Sequence, residues 1–202
     1  MRNPEARTPD TGATEGMRED FRRVLRGVAA TVNVLSTNEG QSRYGMTATA
    51  VMSMSLDPPS LVVAINKAAS IYEPLMSRKV FCVNVLAEEH RFIGQDFSLK
   101  KPGVDRFDTG AWAAYDDADE ALNGVPYLRD AQANIFCRFA SELTFGSHTL
   151  LVGEVMELRT AEKIAPLLYC DGGFGSFSGS GASPAPRCGA SALPSFAAGA
   201  RA

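Results

Sequence analysis

The 202-residue sequence lacks the features that mark several large classes of protein. No segment approaches the roughly 18 uninterrupted apolar residues that a membrane-spanning helix needs, and residues 1–16 have no apolar core of the kind found in secretory signals. Lys plus Arg number 20 against 23 for Asp plus Glu, and no basic stripe suggests nucleic-acid binding. We therefore predict a cytoplasmic protein that binds neither a membrane nor a nucleic acid.

Familiar catalytic and metal-binding motifs are also missing. No GxGxxG follows a first strand, so a Rossmann domain is unsupported, and neither GxSxG nor a Walker A sequence occurs. The four cysteines have no metal-type spacing, so no metal site is predicted. Cys82 and Cys137 lie in apolar, strand-like runs, which indicates buried free thiols.

Composition divides the chain into three parts. Residues 1–16 are polar and residues 178–202 are rich in Gly, Ala, Ser and Pro, and both are predicted to be disordered because they cannot bury enough apolar surface. The segment 17–177 is left as one domain, a size that supports a full hydrophobic core. Within it, the spacing of Met17, Phe21, Val24, Leu25 and Val28 predicts an amphipathic helix.

Strand-like segments dominate that domain. Two short helices are predicted, one from about Ala69 and one over 88–97, and the polar segment 100–130 is predicted to be a long excursion. Strands are predicted over 31–37, 61–66, 80–86, 133–145, 149–159 and 167–170, with a further strand entering the run at Gly45. Many strands, hairpin-type turns and no βαβ alternation indicate an antiparallel barrel or sandwich.

The run from Gly45 to Asn66, GMTATAVMSMSLDPPSLVVAIN, is the most informative segment. Small side chains over 47–51 leave the backbone accessible, so a flat ligand could lie against main-chain amides there. The alternative is an ordinary strand that is rich in Ala and Thr. Pro58 and Pro59 exclude a helix from the corner that follows.

With FCVNVL (Phe81–Leu86) and GSHTLLVGEV (Gly146–Val155), this run resembles the flavin reductase family with the FMN-binding split β-barrel. The resemblance implies a mainly β, antiparallel split barrel with short flanking helices, assembled as a homodimer. It also implies that NADH or NADPH reduces FMN or FAD, and that the reduced flavin serves a separate oxygenase, the partner of a two-component monooxygenase. The alternative is a non-enzymatic or electron-transfer FMN-binding protein of the same fold, including the cobalamin-reducing type.

The flavin would contact two segments of this run. The ring edge is assigned to the stretch with small side chains, Thr47, Ala48, Thr49, Ala50 and Val51. An anion site for the phosphate is predicted where a strand passes into a helix, since amides at a helix N-terminus attract anions. It comprises Asn66, Lys67 and Ser70, with Ser53 as a further donor. Ala69 and Ile71 stand where the family more often has hydroxyl residues, and a solvated lysine with a plain serine cap is the alternative.

A turn histidine is the candidate for the nicotinamide nucleotide and the predicted catalytic residue. His148 lies in Gly-Ser-His, where the resemblance leads one to expect Gly-Asp-His, so Ser147 replaces a carboxylate. The alternative is a solvent-exposed turn residue without a role. The other histidine, His90, lies in the polar sequence Glu-Glu-His-Arg and is predicted to be at the surface.

Three further residues are assigned to cofactor binding. Asn84 lies in an apolar strand and must find hydrogen bonds, from a ligand edge or from a neighbouring strand. Phe174 follows a Gly pair that lets the backbone bend, where related reductases carry an aromatic residue near the flavin; a core phenylalanine is the alternative. Lys100, like Arg106, resembles basic positions of the family, and a surface charge is the alternative.

Overall fold

The computed structural model describes residues 14–99, 105–116 and 119–177. The helices of that part are α1 (Glu15–Arg26), α2 (Tyr72–Arg78) and α3 (Arg91–Ser98), with three short 3₁₀ turns. The strands are β1 (Ala30–Thr31), β2 (Asn33–Glu39), β3 (Ser42–Ala48), β4 (Val51–Leu56), β5 (Pro59–Asn66), β6 (Val80–Val85), β7 (Trp112–Ala114), β8 (Pro126–Leu128), β9 (Ala133–Phe145), β10 (His148–Thr160), β11 (Leu167–Cys170) and β12 (Gly173–Ser176).

Seven of these strands form one antiparallel sheet in the order β3-β2-β6-β9-β10-β5-β4. Its centre is the long β9–β10 hairpin, whose two-residue turn places Gly146 at a positive φ of 58°. The chain passes directly from one sheet edge to the other through Thr49 and Ala50, and the amide of Ala64 donates to the Ala50 carbonyl at 3.0 Å. The sheet therefore curls toward a barrel without a strand pair that closes it, and the predicted mainly β fold is confirmed.

The two faces of the sheet bury separate apolar clusters. The inner cluster joins β2, β5, β6, β9 and β10 to α2, and includes Leu35, Val63, Leu75, Phe81 and Leu151. Close packing there demands a glycine at 153, because a Cβ at that position would lie 2.7 Å from the Phe81 ring. The outer face is covered by α3 and by the segment that carries β7 and β8.

The buried thiols follow the predicted pattern. Cys82 and Cys137 are fully buried and free, and burial raises the pKa of Cys137 to about 12. Both thiols therefore stay protonated and behave as small apolar side chains.

Helix α3 lies unusually close to strand β3. A Cβ on Gly45 would lie 2.5 Å from Cε1 of Phe97, so only glycine allows this approach. Phe97 in turn packs against Phe107 and Trp112, with ring centroids 5.0 and 5.2 Å away. This aromatic cluster fixes α3 over the end of β3, where a cavity opens.

The sequence-based element predictions differ from the structure in a few places. The predicted strands over 133–145 and 167–170 have the observed bounds. The second helix begins at Tyr72 rather than near Ala69. Strand β12 was not predicted, because its Gly-Phe-Gly-Ser sequence has few strand formers, and the excursion contains β7 and β8. His90 was wrongly placed at the surface, since only 5% of it is exposed.

Helix α1 forms as predicted but buries nothing. Its apolar side chains are all exposed: Met17, Phe21, Val24 and Leu25. Within the described residues, no helix is long and apolar enough to cross a membrane. The predicted disordered segments, 1–16 apart from its last three residues and 178–202, lie outside the part of the chain that the structure describes.

Candidate active site

A cavity of about 680 Å³ opens between the end of β3, helix α3 and the β11–β12 hairpin. This volume lies within the roughly 300–1,000 Å³ typical of small-molecule sites. Its walls differ in chemistry. We call the β3 side the strand wall, lined by Gly45, Met46, Thr47 and Thr49, and the other side the helix wall, lined by Arg91, Gln95, Arg106, Tyr169 and Phe174.

The strand wall offers backbone more than side chains. Because β3 is an edge strand, every second residue turns its N–H and C=O away from β2. The Thr47 hydroxyl is already committed, since it donates to the Gly94 carbonyl of α3 at 2.6 Å. This wall can therefore bond the edge of a flat ligand through main-chain groups, as the small side chains of the sequence predict.

The helix wall carries two guanidinium groups. Arg106 donates to the Phe97 carbonyl at 3.4 Å and lies 5.2 Å from the Phe97 ring centroid. Arg91 donates to the Phe174 carbonyl at 2.6 Å. Carbonyl contacts hold these side chains in place without neutralising their charge, so both remain able to bind an anion.

The β11–β12 hairpin adds two aromatic rings to the helix wall. Tyr169 and Phe174 meet edge to face with centroids 5.4 Å apart. The turn between them needs positive φ angles, 49° at Asp171 and 80° at Gly172. Arg26 of α1 binds this turn, because its Nε donates to the Asp171 carboxylate at 2.9 Å.

The predicted phosphate site at the start of α2 is mostly closed. The amide of Lys67 donates to the Ser147 carbonyl at 3.0 Å, and the amides of Ala68 and Ala69 donate to Oδ1 and O of Asn66, both at 2.9 Å. Helix α2 has no side-chain N-cap. Of this segment's predicted residues, Ser70 lines the cavity and Asn66 and Lys67 do not, and their role in phosphate binding stays a prediction.

The histidine turn lies beside that segment. His148 pairs with Asn66 across the β10–β5 ladder, so two parts of the predicted site meet at one end of the sheet. His148 is exposed, and its Nδ1 lies 3.0 Å from the Ser147 hydroxyl. It does not line the cavity but stands next to the segment that leads to Ser70.

Asn84, predicted as a cofactor ligand, does not line the cavity. It is fully buried on the outer face of the sheet, and its amide donates to the Val34 carbonyl and the Ser36 hydroxyl, both at 2.9 Å. Its Oδ1 accepts from the Leu128 amide at 2.8 Å and from Asn134 at 3.0 Å. Neighbouring strands thus satisfy it, which was the alternative to a ligand edge.

The remaining predicted residues separate into two groups. Thr47, Thr49, Ser70 and Phe174 line the cavity. Ala48 belongs to the inner core and Val51 packs against it, whereas Ala50 and Ser53 are exposed and do not line the cavity. Lys100 lies outside the described residues.

Sequence reasoning missed much of the helix wall. Arg91, Gln95 and Tyr169 were not assigned, and Arg106 was noted without a firm role. Arg91 and Gln95 lie four residues apart and so share one face of α3. That spacing was the only signal in the sequence that could have pointed to them.

The chain belongs to the flavin reductase-like family, because the family model named flavin reductase like domain matches residues 25–178. The reductase component of an FADH(2)-dependent resorcinol hydroxylase from Rhizobium sp. (strain MTP-10005) is 38% identical over 159 residues, covering 78% of this chain and 86% of that protein. The FMN reductase (NADH) RutF of Variovorax paradoxus (strain S110) is 34% identical over 152 residues, covering 75% and 81%.

Solved structures agree with this membership. An NADH:FAD oxidoreductase from Streptomyces globisporus superposes with a TM-score of 0.74 at 27% identity, covering 84% of this chain and 98% of that chain. The flavin reductase PheA2 superposes with a TM-score of 0.67 at 31% identity, covering 80% and 98%. The resemblance to the family and the predicted fold are thereby confirmed.

Proposed function

We propose that this protein is an NAD(P)H:flavin oxidoreductase that reduces FMN or FAD and supplies the reduced flavin to a separate oxygenase. The predicted class of enzyme and the pairing of a flavin with a nicotinamide nucleotide are confirmed by relatives named as an FMN reductase (NADH) and as the reductase component of a hydroxylase. The observation that carries the proposal is the cavity with one backbone-rich wall and one wall of aromatic and guanidinium groups.

The residues of the cavity fit a flavin. A flat, heteroatom-edged ring suits a strand wall without bulky side chains, and the Phe174 ring gives it an apolar neighbour. The anionic part of a flavin nucleotide suits Arg91 and Arg106, because guanidinium groups form paired hydrogen bonds with phosphate. The flavin would supply the hydride-accepting chemistry.

The protein's own task is positioning. Main-chain groups of β3 orient the ring edge, the two arginines hold the anionic end, and the aromatic pair excludes water from one side. Since no general acid or base is required for hydride transfer, holding the reactants close together is the main source of rate enhancement.

We assign His148 to the nicotinamide nucleotide rather than to the flavin. The support is its place on an exposed turn, one ladder pair away from Asn66 and outside the cavity lining. The Ser147 hydroxyl at 3.0 Å from Nδ1 restrains the ring while leaving Nε2 free to contact a ligand.

The test of the activity is oxidation of NADH by purified protein, followed by the loss of NADH absorbance, with FMN and then FAD added. Turnover that saturates with flavin supports the reductase and ranks the two flavins. Repeating the assay with NADPH ranks the donors. Flavin binding without turnover would refute the reductase and favour the non-enzymatic FMN-binding alternative.

We further propose a homodimer that works in the cytoplasm. The exposed apolar side chains of α1 and of β4, Met52, Met54 and Leu56, provide surface for a second copy. Free, buried thiols suit a reducing compartment. Light scattering coupled to size exclusion tests the dimer, since a monomer mass across micromolar concentrations would exclude it.

A further inference from the structure

His90 is the buried titratable group that neither the fold nor the proposed function accounts for. Only 5% of it is exposed, and its Nδ1 accepts a hydrogen bond from the Ala87 amide at 3.2 Å. Because Nδ1 accepts, the neutral ring carries its proton on Nε2. That nitrogen has no hydrogen-bond partner among the described residues, and it lies 3.5 Å from the Asp130 carboxylate.

Residues 86–90 form a turn that the bond from Ala87 to His90 closes, and this turn is hydrogen-bonded to several elements. The amide of Leu86 donates to the carbonyl of Val32, directly before β2, at 3.0 Å, and the Leu86 carbonyl accepts from the amide of Leu167 of β11 at 2.9 Å. The amide of Glu88 donates to the Ala165 carbonyl at 2.9 Å. This turn therefore fixes β2 and β11 relative to each other, and the bond from Ala87 to His90 attaches the start of α3 to it.

Arg91, the residue after His90, lines the cavity. Arg91 is the first residue of α3, and its guanidinium crosses to the Phe174 carbonyl of β12 at 2.6 Å. Gly94, one turn further on, packs so closely on Leu86 and Val32 that a Cβ there would lie 3.3 Å from each of them. The direction of α3, and hence the place of Arg91, depends on the turn that His90 closes.

We propose that His90 is a positioning residue for flavin binding: its bond to Ala87 fixes the turn that joins α3 to β11, so that Arg91 and Phe174 face the cavity. His90 does not touch the cavity lining itself. The proposal rests on the proposed function only in placing the flavin in this cavity.

Three variants test it by flavin fluorescence titration and steady-state kinetics. His90→Phe keeps a flat ring and removes both nitrogens, which leaves the Ala87 amide buried without an acceptor. His90→Asn keeps an acceptor at the same distance from Cβ as Nδ1. Glu89→Gln changes an exposed neighbour and is the matched control. We expect His90→Phe to raise the flavin Kd about fivefold or more, while kcat at saturating flavin and NADH stays within about twofold.

Rescue separates positioning from bulk packing. We expect His90→Asn and Glu89→Gln to bind flavin within about twofold of the unmodified protein. Wild-type affinity in His90→Phe would overturn the proposal. Equal weakening in His90→Phe and His90→Asn would also overturn it, because His90→Asn keeps an acceptor for the Ala87 amide and His90→Phe does not.

Hydrogen exchange of the unmodified protein keeps the test valid if His90→Phe does not fold. We expect flavin to slow exchange in peptides that span residues 86–90, which do not line the cavity, since a bound ligand would restrain the turn together with α3. Unchanged exchange there would overturn the proposal. Flavin binding without NADH oxidation would refute the reductase activity. The flavin Kd values and the hydrogen exchange would still test the role of His90, because neither measurement requires turnover.

Discussion

The strand wall and the helix wall of the cavity are built on opposite plans. The strand wall comes from one continuous stretch, in which small residues expose the backbone. The helix wall brings together residues from α3, the turn at Arg106 and the β11–β12 hairpin, up to 83 positions apart in the case of Arg91 and Phe174. Shape is thus encoded locally, whereas charge and aromatic surface depend on tertiary contacts.

The largest effect on stability is expected where the two walls meet, at the contact of Gly45 with Phe97. We expect Gly45→Ala to destabilise the protein by about 2–3 kcal/mol, because its Cβ would meet the Phe97 ring at 2.5 Å within an aromatic cluster that cannot yield. Urea denaturation measures the free energy of unfolding. Gly175→Ala is the control, since nothing lies within 4 Å of its Cβ. Equal stability of the two variants would show that α3 can move away from β3.

The next largest effect is expected from the two arginines of the helix wall, through flavin affinity. We expect Arg106→Ala or Arg91→Ala to raise the flavin Kd about tenfold, or about 1.4 kcal/mol, through the loss of a phosphate contact. Lys67→Ala should leave the Kd within about twofold, because Lys67 does not line the cavity. Fluorescence titration at two salt concentrations distinguishes these variants. A larger effect at Lys67 than at either arginine would return the phosphate to the start of α2.

The aromatic surface has a smaller expected effect. Phe174→Ala should weaken flavin binding by about 1 kcal/mol, and Phe174→Tyr should bind as the unmodified protein does, because it keeps the ring. The same titration measures both. If Phe174→Ala binds normally, the residue serves only to pack against Tyr169.

The histidine turn lies outside both walls and should behave independently of them. We expect His148→Ala to raise the KM for NADH several-fold, by about 1 kcal/mol, with the flavin Kd unchanged. Steady-state kinetics at saturating flavin gives the KM. Loss of flavin affinity with an unchanged KM would reverse this assignment.

The smallest predicted effect concerns pH. The Phe107 amide, and then Arg43, hold the pKa of Asp105 below its usual value. The stability that this carboxylate contributes is therefore present above its unfolded pKa and is lost as pH falls through the lower folded pKa. Asp105→Asn should therefore lower the melting temperature slightly at neutral pH, where the carboxylate contributes, and leave it nearly unchanged in acid, so that the loss on acidification becomes shallower. An unaltered acid profile would contradict this contribution.

The sequence predicts the sheet better than the cavity for a physical reason. The β9–β10 hairpin and β11 are specified by local strand propensity and a two-residue turn, so their predicted positions match the structure. His90 was misplaced because its burial depends on Ala87, Pro166 and Asp130, which polarity within one helix does not reveal. The helix start near Lys67 was predicted to offer amides to an anion, and only the fold shows that the amides of Lys67, Ala68 and Ala69 have internal partners.

Helix α1 illustrates the same limit. Its amphipathic pattern predicts a helix correctly, yet the pattern does not say what covers the apolar face, and nothing in the described part of the chain does. Arg26, near its end, binds Asp171 and Cys170 of the hairpin that contributes to the helix wall. A second copy that packs on α1 would therefore also restrain the β11–β12 hairpin, which lines the cavity.

The most direct test of the two walls' roles is a crystal structure of the protein with FMN bound. We expect the ring to lie against the backbone of β3 and the phosphate to lie within hydrogen-bond distance of Arg106 or Arg91. A phosphate bound between Asn66 and Ser70, with both arginines turned away, would contradict the assignment of the two walls.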